Sequence, residues 1–223
     1  MMAHGSQKLA RCVELAQFFA ARQLLGFAIR DEPYLDDESS CVFRSALREC
    51  RFYLEYGSGG STVLAARLGK RFISVETDQH YLESVRRKIG ALAPDQHLIH
   101  ADVGATGPWG TPFWRRVTRQ KLSKWSESLE APWRLVHGDT PDLILIDGRF
   151  RVAATLTCCV HLIASPRSRI LVDDYVTNPS YHAIEEYAQL ITTIGRMAVF
   201  QPSASIGVRK LRGAIAEYCS DWR

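Results

Sequence analysis

The chain has 223 residues, of which 46% are hydrophobic and 23% are charged, and its net charge is +4. This length suits one domain with an added segment, and the composition is ordinary for a globular protein. No apolar run approaches the roughly 18 residues that a membrane span needs, and the charge is too modest to indicate a nucleic-acid partner. The six cysteines show no CxxC spacing, so we expect reduced thiols, no metal bound through them and a cytoplasmic setting.

The first 50 residues are predicted to form a helical extension ahead of the main domain. Residues 7–30 have apolar positions interrupted by charged and amide side chains, which is typical of an amphipathic helix packed on a domain. They lack the basic start and clean apolar core of a signal peptide. An acidic connector at 31–40 and a short helix at 41–50 lead into the main domain, predicted over 51–223.

A glycine-rich turn follows the first apolar strand, which is predicted at 52–56. After Glu55 the sequence reads Tyr-Gly-Ser-Gly-Gly-Ser-Thr, and a helix is predicted at 61–68. This order of strand, tight turn and helix N-terminus is the nucleotide-binding start of a doubly wound α/β domain. A dinucleotide fingerprint needs a third glycine where Thr62 stands, which argues against an NAD-dependent oxidoreductase. Glu55 suits a ligand with a positive group near the turn.

Two further strands continue the pattern and also end in acids. They are predicted at 71–75 and 97–101, with an amphipathic helix at 81–91 between them. Glu76 follows the acid of the first strand by 21 residues, where a ribose-binding carboxylate is expected. Asp102 ends the third strand.

The α/β rhythm breaks over residues 103–141, which we interpret as an aromatic insert. Trp109, Trp114 and Trp125 are three of the five tryptophans in the chain. Long structured loops in compact domains are usually functional, so we expect a lid over the ligand. Its basic side chains either form a solvated helix face or offer positive charge to an anionic substrate. They are Arg115, Arg116, Arg119, Lys121 and Lys124.

Regular structure returns with an apolar strand at 143–146, of the buried parallel type, which ends in Asp147. After a helix at 152–163, the next strand, at 170–172, ends in Asp173 and Asp174. In a doubly wound sheet the ligand lies outside the carboxyl ends of the strands. The strand-end acids therefore mark the expected site.

The end of the chain predicts a helix at 181–194 and then two strands at 196–201 and 206–210. A loop this short between two strands requires an antiparallel hairpin. The predicted fold class is therefore α/β: a doubly wound, Rossmann-like sheet of seven mostly parallel strands that ends in an antiparallel hairpin.

These motifs resemble those of class I S-adenosylmethionine-dependent methyltransferases. Glu55-Tyr-Gly-Ser-Gly-Gly is similar to their first motif, Glu76 to their second, and Asp102, within Ile-His-Ala-Asp-Val-Gly, to their third. The resemblance covers about residues 51–212. The chain resembles a set of uncharacterised bacterial methyltransferase-like proteins more closely still, but this resemblance identifies no substrate. The shared motifs are in the style of Glu-Tyr-Gly-Ser-Gly-Gly-Ser-Thr, Gly-Pro/Asp-Trp-Gly and Asp-Gly-Arg-Phe-Arg-Val.

The resemblance implies S-adenosylmethionine as the cofactor. The glycine turn would wrap its methionine part, and Glu76 would accept both ribose hydroxyls. Asp102 would accept a hydrogen bond from the adenine amino group, and Thr77 would pack near the adenine. The implied cofactor-binding residues are Glu55, Gly57, Ser58, Gly59, Gly60, Ser61, Glu76, Thr77, Asp102 and Val103.

The resemblance also places Asp147 beside the transferable methyl group. The following Gly-Arg-Phe-Arg matches neither the Pro-Pro-Tyr of nucleic-acid amino methylation nor the Pro-Cys of cytosine C5 enzymes. More distant relatives are the catechol and caffeoyl-coenzyme A type O-methyltransferases. In them an acid after strand four and an Asp-Asn pair after strand five hold a divalent metal. Asp147, Asp173 and Asp174 occupy those positions here, and Arg149 and Arg151 replace a lysine.

Three interpretations of these acids stay open. Converging carboxylates either hold a hard cation such as Mg²⁺ or raise one another's pKa toward a general base. Alternatively, Asp173 and Asp174 are turn acids that Arg149 or Arg151 neutralises. A divalent metal is therefore left undecided.

The predicted function is methyl transfer from S-adenosylmethionine to an oxygen of a small or glycan-like acceptor, for which an anionic group would suit the basic insert. The alternative is a nucleotide-binding protein that has lost catalysis. The predicted catalytic residues are Asp147, Asp173 and Asp174, and the candidate substrate contacts are Trp109, Trp114, Arg149 and Arg151. No nucleic-acid partner is expected, and the oligomeric state is not predicted.

Overall fold

The computed structural model of the protein describes residues 26–113 and 117–223. They contain one seven-stranded sheet in the order β3-β2-β1-β4-β5-β7-β6. The strands are β1 (Phe52–Tyr56), β2 (Arg71–Glu76), β3 (Gln96–His100), β4 (Leu143–Ile146), β5 (Arg169–Val172), β6 (Ala188–Ile194) and β7 (Met197–Pro202). β1 to β5 are parallel, whereas β7 runs antiparallel to both β5 and β6. The predicted fold class is confirmed.

Six α-helices surround this sheet in the described part of the chain. They are α1 (Asp37–Glu49), α2 (Gly60–Arg67), α3 (Gln79–Ile89), α4 (Arg119–Glu130), α5 (Arg151–His161) and α6 (Val208–Tyr218). Short 3₁₀ helices lie at Pro108–Gly110, Pro132–Leu135 and Pro179–Glu186. None of the helices in the described ranges is both long and apolar enough to cross a membrane.

Strand side chains alternate between two cores, one on each face of the sheet. Leu54 and Ile144 lie in the larger core with residues of α4, α5 and α6. Tyr53 and Leu145 lie in the smaller core with Phe43 of α1. Because successive strand residues point to opposite faces, strands buried on both faces are almost entirely apolar, and Glu55 of β1 is a buried exception. β1 and β4 are neighbours in the interior of the sheet.

The chain reverses its direction of winding between β1 and β4. From β1 it proceeds to β2 and β3 on one side, whereas β4 leads to β5 on the other. Ligands of doubly wound sheets bind in the crevice that this reversal creates. Gly57 and Gly148 meet there: Gly57 has a φ of 104°, and a Cβ on it would lie 2.6 Å from the backbone N of Gly148. A side chain at Gly57 would therefore force the two loops apart.

The antiparallel hairpin is confirmed, and its strand predicted at 196–201 is β7, but its other predicted strand and the helix before it are wrong. The segment expected to be a helix at 181–194 is instead the 3₁₀ helix Pro179–Glu186 followed by β6. The strand expected at 206–210 is largely the start of α6. The hairpin turn is Gly195-Arg196, between β6 and β7. The β-branched run Ile-Thr-Thr-Ile in β6 favours a strand, and its apolar spacing alone does not distinguish the two.

The N-terminal extension and the insert are only partly described. Most of the helix predicted at 7–30 lies outside the described residues, and residues 26–30 are not helical. Within the insert, α4 belongs to the core. Its Trp125 is fully buried, and its ring centroid lies 5.3 Å from that of Phe150. Of the described insert, the parts beside the site described below are Pro108–Gly110, Ser128 and Leu129.

Candidate functional site

A cavity of about 850 Å³ opens at the carboxyl ends of β1, β2, β4 and β5. This volume falls within the range of small-molecule sites, about 300–1,000 Å³. The glycine turn, Glu76, Asp147, Asp173 and Asp174 line one part of it. Residues of the segment 27–34 line another, and this segment is called the connector from here on. A pocket of about 20 Å³ shares Gly57, Glu76, Thr77, Gly148 and Arg149 with it.

Glu55 supports the glycine turn from within the core and does not line the cavity. Its fully buried carboxylate accepts hydrogen bonds from the hydroxyls of Tyr53 at 2.7 Å, Ser61 at 2.6 Å and Thr62. Burial raises the pKa of Glu55. The predicted direct contact of Glu55 with the ligand is therefore corrected. The turn residues that do line the cavity are Gly57, Ser58, Gly59, Gly60 and Ser61.

Glu76, at the end of β2, has one anchored and one unpaired carboxylate oxygen. Its Oε1 accepts the N–H groups of Thr77 at 2.7 Å and Asp78 at 2.9 Å. No described residue donates a hydrogen bond to Oε2. Glu76 is 9% exposed, and burial raises its pKa to about 7. A fixed carboxylate with an open oxygen at a cavity can accept hydroxyl hydrogen bonds.

The insert contacts this part of the site through Pro108–Gly110. The Thr77 hydroxyl donates to the Gly110 carbonyl at 3.1 Å, which holds the segment beside Glu76. Trp109 has a left-handed backbone (φ 60°) and a side chain that is 83% exposed at the cavity. Such a conformation is uncommon for a residue other than glycine and recurs at functional sites. Trp114, the other predicted aromatic contact, lies outside the described residues.

Asp102 and Val103 line neither pocket, and their contact with the cofactor stays a prediction. Asp102 is exposed and forms an ion pair with Lys124 of α4 at 2.5 Å, which lowers the pKa of Asp102. Val103 is buried, and its carbonyl accepts the indole N–H of Trp125 at 3.0 Å. The small pocket is instead lined by residues that the sequence analysis missed. These are Ala101, Ser128, Leu129 and Phe150.

Asp147, Asp173 and Asp174 converge because β4 and β5 are neighbours in the sheet. One carboxylate oxygen from each lies within 4.8 Å of the others, and we call this group the acid cluster. Arg151 pairs with Asp147 and Asp174, each at 3.1 Å. Arg196, in the hairpin turn, donates to both oxygens of Asp173 at 2.9 and 2.8 Å and pairs with Asp174 at 3.1 Å. The sequence analysis missed Arg196.

The acid cluster does not fit a resident divalent metal. Five of its six carboxylate oxygens already face a guanidinium nitrogen, and Asp147 Oδ2 is the one left without a donor among the described residues. Magnesium and calcium are bound in proteins through carboxylate oxygens, here engaged by the guanidinium groups of Arg151 and Arg196. Burial, reinforced by Asp173 and Asp174 and opposed by Arg151, raises the pKa of Asp147 to about 8.

Arg149 and Arg151, the two candidate substrate arginines, differ in their environments. Arg151 is 3% exposed and committed to the acid cluster. Arg149 lines both pockets, and its Nε is buried without a hydrogen-bond partner. No described carboxylate forms an ion pair with it. Arg149 is therefore the guanidinium that can bind a ligand.

The connector crosses the glycine turn and is held by Arg196. A Cβ on Gly60 would lie 1.9 Å from the Glu32 carbonyl oxygen, so the two backbones are in close contact. Arg196 donates to the Tyr34 carbonyl. The Tyr34 ring centroid lies 4.5 Å from the guanidinium carbon of Arg30 and 5.7 Å from that of Arg196. The sequence analysis predicted no site residue in this segment.

No protein-family model matches the sequence, and no curated protein matches it. Among solved structures, a methyltransferase-like protein from Silicibacter pomeroyi superposes with a TM-score of 0.69 at 30% identity, over 86% of this chain and 100% of that one. An O-methyltransferase from Bacillus cereus in complex with SAH has 15% identity over 84% of this chain and 90% of that one, with a TM-score of 0.45. The second likeness is too distant to carry an argument.

The Silicibacter pomeroyi relative is matched over its entire length. Its identity of 30% over that length is enough to assign the family. The protein belongs to the class I S-adenosylmethionine-dependent methyltransferases.

Proposed function

We propose that the protein transfers the methyl group of S-adenosylmethionine to an oxygen atom of a small or glycan-like acceptor. The observation that carries this proposal is that one cavity is lined by two kinds of group. The glycine turn and Glu76 suit the cofactor, and Asp147 suits an acceptor that must lose a proton. The family supplies the methyl transfer, whereas the choice of an oxygen acceptor rests on Asp147.

The cofactor is proposed to lie along the ends of β1 and β2. The turn from Gly57 to Gly60 would follow its methionine part, close to the N-terminus of α2. Glu76 Oε2 would accept the ribose hydroxyls, because Oε1 is already bound to backbone N–H groups. The small pocket beyond Thr77 would receive the edge of the adenine.

The transfer itself is an in-line displacement at the methyl carbon. The bond from the acceptor oxygen to the methyl carbon forms as the bond from that carbon to sulfur breaks, and the sulfonium becomes a neutral thioether. The proton of the acceptor hydroxyl would pass to Oδ2 of ionised Asp147, so turnover should rise with pH toward the Asp147 pKa of about 8. Burial makes Asp147 a stronger base than an exposed aspartate. Alignment of the two reactants in a cavity with little water supplies much of the remaining rate.

Arg149 is proposed to bind an anionic group of the acceptor. A guanidinium with no carboxylate partner at a cavity suits a carboxylate or phosphate, which it can bind with two parallel hydrogen bonds. Trp109 would cover the acceptor from the insert.

The experiment begins with calorimetric titration of S-adenosylmethionine, S-adenosylhomocysteine and NAD. We expect the first two to bind and NAD to give no heat. Radiolabelled S-adenosylmethionine is then incubated with pools of phenols, hydroxy acids and sugar phosphates, using Asp147→Asn as the matched control. Label transfer by the wild type and not by Asp147→Asn supports the proposal. Tight binding of S-adenosylhomocysteine with no transfer to any pool would favour the alternative, a binding protein that has lost catalysis.

A further inference from the structure

The acid cluster carries its own positive charges, in contrast to the metal-dependent O-methyltransferases that the sequence resembles. We propose that Arg151 and Arg196 take the place of a divalent metal in this cluster, and that Arg196 is a positioning residue for the carboxylates on the acceptor side. The proposal deepens the proposed function and rests on it for the cluster's role. The contacts of the two guanidinium groups carry the argument.

Arg196 binds Asp173 in the bidentate geometry that guanidinium and carboxylate groups favour. Its Nε and Nη2 lie 2.9 and 2.8 Å from the two carboxylate oxygens, and Nε also lies 3.1 Å from Asp174. Asp173 is 1% exposed and the Arg196 side chain 26% exposed, so the carboxylate is shielded from water and the guanidinium only in part. Both oxygens of Asp173 are thereby occupied, and neither remains for a metal ion.

Arg151 is fixed through all three of its guanidinium nitrogens. Nε donates to the Gly148 carbonyl at 3.1 Å, and Nη1 donates to the Asp173 carbonyl at 2.5 Å. Nη1 and Nη2 also pair with Asp174 and Asp147. A metal ion would have to displace this side chain, which is 3% exposed, and would leave a buried charge without its partners.

Arg196 is held in place by contacts outside the cluster. Its backbone N–H donates to Asp36 Oδ2 at 3.1 Å, and its Nη2 donates to the Tyr34 carbonyl. Asp36 also accepts the N–H of Ser39 at the start of α1. Because the hairpin turn is anchored to the connector, the guanidinium is directed at Asp173 by the fold itself. This distinguishes it from an exposed ion pair, which contributes little.

Manganese binding tests the proposal, because Mn²⁺ prefers the same oxygen ligands as Mg²⁺ and is visible by electron paramagnetic resonance. The protein saturated with S-adenosylhomocysteine is titrated with Mn²⁺, and the free-ion signal is measured for wild type, Arg196→Met and Arg196→Lys. We expect no uptake by wild type or by Arg196→Lys, which retains the positive charge. Arg196→Met should take up about one equivalent, because it frees both oxygens of Asp173 and one of Asp174 without displacement of Arg151. A merely structural role of Arg196 would not produce this result.

Thermal unfolding of the same proteins gives a second readout. Breaking the buried pair should lower the melting temperature of Arg196→Met by about 6–15 °C in chelator, and Mn²⁺ should restore part of this loss. The wild type should melt at the same temperature with and without Mn²⁺.

Two results would overturn the proposal. One is Mn²⁺ uptake by the wild type that Asp174→Asn abolishes. The other is that Arg196→Met takes up no more Mn²⁺ than the wild type. If Arg196→Met does not fold, wild type and Arg196→Lys still test the proposal. Mn²⁺ uptake by either protein that is lost when Asp174 is replaced by Asn contradicts it. None of these measurements needs an acceptor or methyl transfer, so their failure is distinguishable from a failure of the proposed function.

Discussion

Replacing Glu76 by glutamine should make the protein more stable and its cofactor binding weaker. The glutamine carbonyl can still accept the N–H groups of Thr77 and Asp78, so the turn after β2 keeps its hydrogen bonds. What the substitution removes is a buried negative charge that no described side chain neutralises. The two effects have opposite signs because the charge is costly in the empty protein and useful only with a ligand.

The magnitude follows from the pKa of about 7, against an ordinary value of 4.5. This difference means that ionised Glu76 costs the folded state about 3 kcal/mol. The folded protein retains the proton of Glu76 up to about pH 7, whereas the unfolded chain loses it near pH 4.5, so stability falls as pH rises between these values. At pH 8, Glu76→Gln should therefore raise the free energy of unfolding by at most about 3 kcal/mol, and near pH 4.5 by almost nothing.

Ligand affinity should change in the other direction. Loss of charged hydrogen bonds to the ribose costs about 1.5–3 kcal/mol, which corresponds to roughly 10–150-fold weaker binding of S-adenosylhomocysteine. Glu76→Ala should lose the same contacts and the anchoring of the turn as well. Urea unfolding at pH 8 and pH 5, with calorimetric titration of S-adenosylhomocysteine, measures both effects. Unchanged affinity in Glu76→Gln, or lower stability than wild type at pH 8, would refute the reasoning.

Three other changes test the remaining parts of the site. Asp147→Asn should lower turnover by about 10²–10⁴-fold once an acceptor is identified and leave S-adenosylhomocysteine affinity unchanged in calorimetry; an equal loss of both would contradict a role as base. Gly60→Ala should displace the connector, because its Cβ would lie 1.9 Å from the Glu32 carbonyl oxygen, and hydrogen exchange over 27–34 should accelerate; unaltered exchange would argue against the close contact. Trp109 should become less mobile when ligand binds, as lids do, so saturating cofactor should change the tryptophan fluorescence of wild type more than that of Trp109→Phe. An identical change in the two proteins would count against this.

The centre of the sheet was predictable because its local pattern and its tertiary environment agree. The strands predicted at 52–56 and 143–146 are β1 and β4, and both are buried on two faces. Continuous apolar runs bounded by turns and acids indicate such strands. The acids that follow parallel strands could be placed together, because the carboxyl ends of parallel strands lie at the same edge of the sheet. Most residues of β6 are partly or fully exposed, so its hydrophobic pattern indicates a strand less clearly.

The parts of the site that sequence reasoning missed depend on contacts between distant segments. Asp102 follows β3 as expected, and its ion pair with Lys124 of the insert is one such contact. Arg196 reaches Asp173 only because the hairpin turn lies at Gly195-Arg196, and the predicted helix at 181–194 hides that turn. Neither contact has a sequence spacing that a local motif could reveal.

The contact between Gly57 and Gly148 sets a limit on how this protein can diversify. A Cβ on Gly57 would lie 2.6 Å from the N of Gly148, and a Cβ on Gly148 would lie 2.9 Å from the N of Gly57. The separation of the loop after β1 from the loop after β4 is thus fixed by main-chain contact. No side-chain replacement at either position could widen the gap by a small step. Homologues with other acceptors should therefore keep this pair together and differ in the connector and in Pro108–Gly110, where side chains can vary independently.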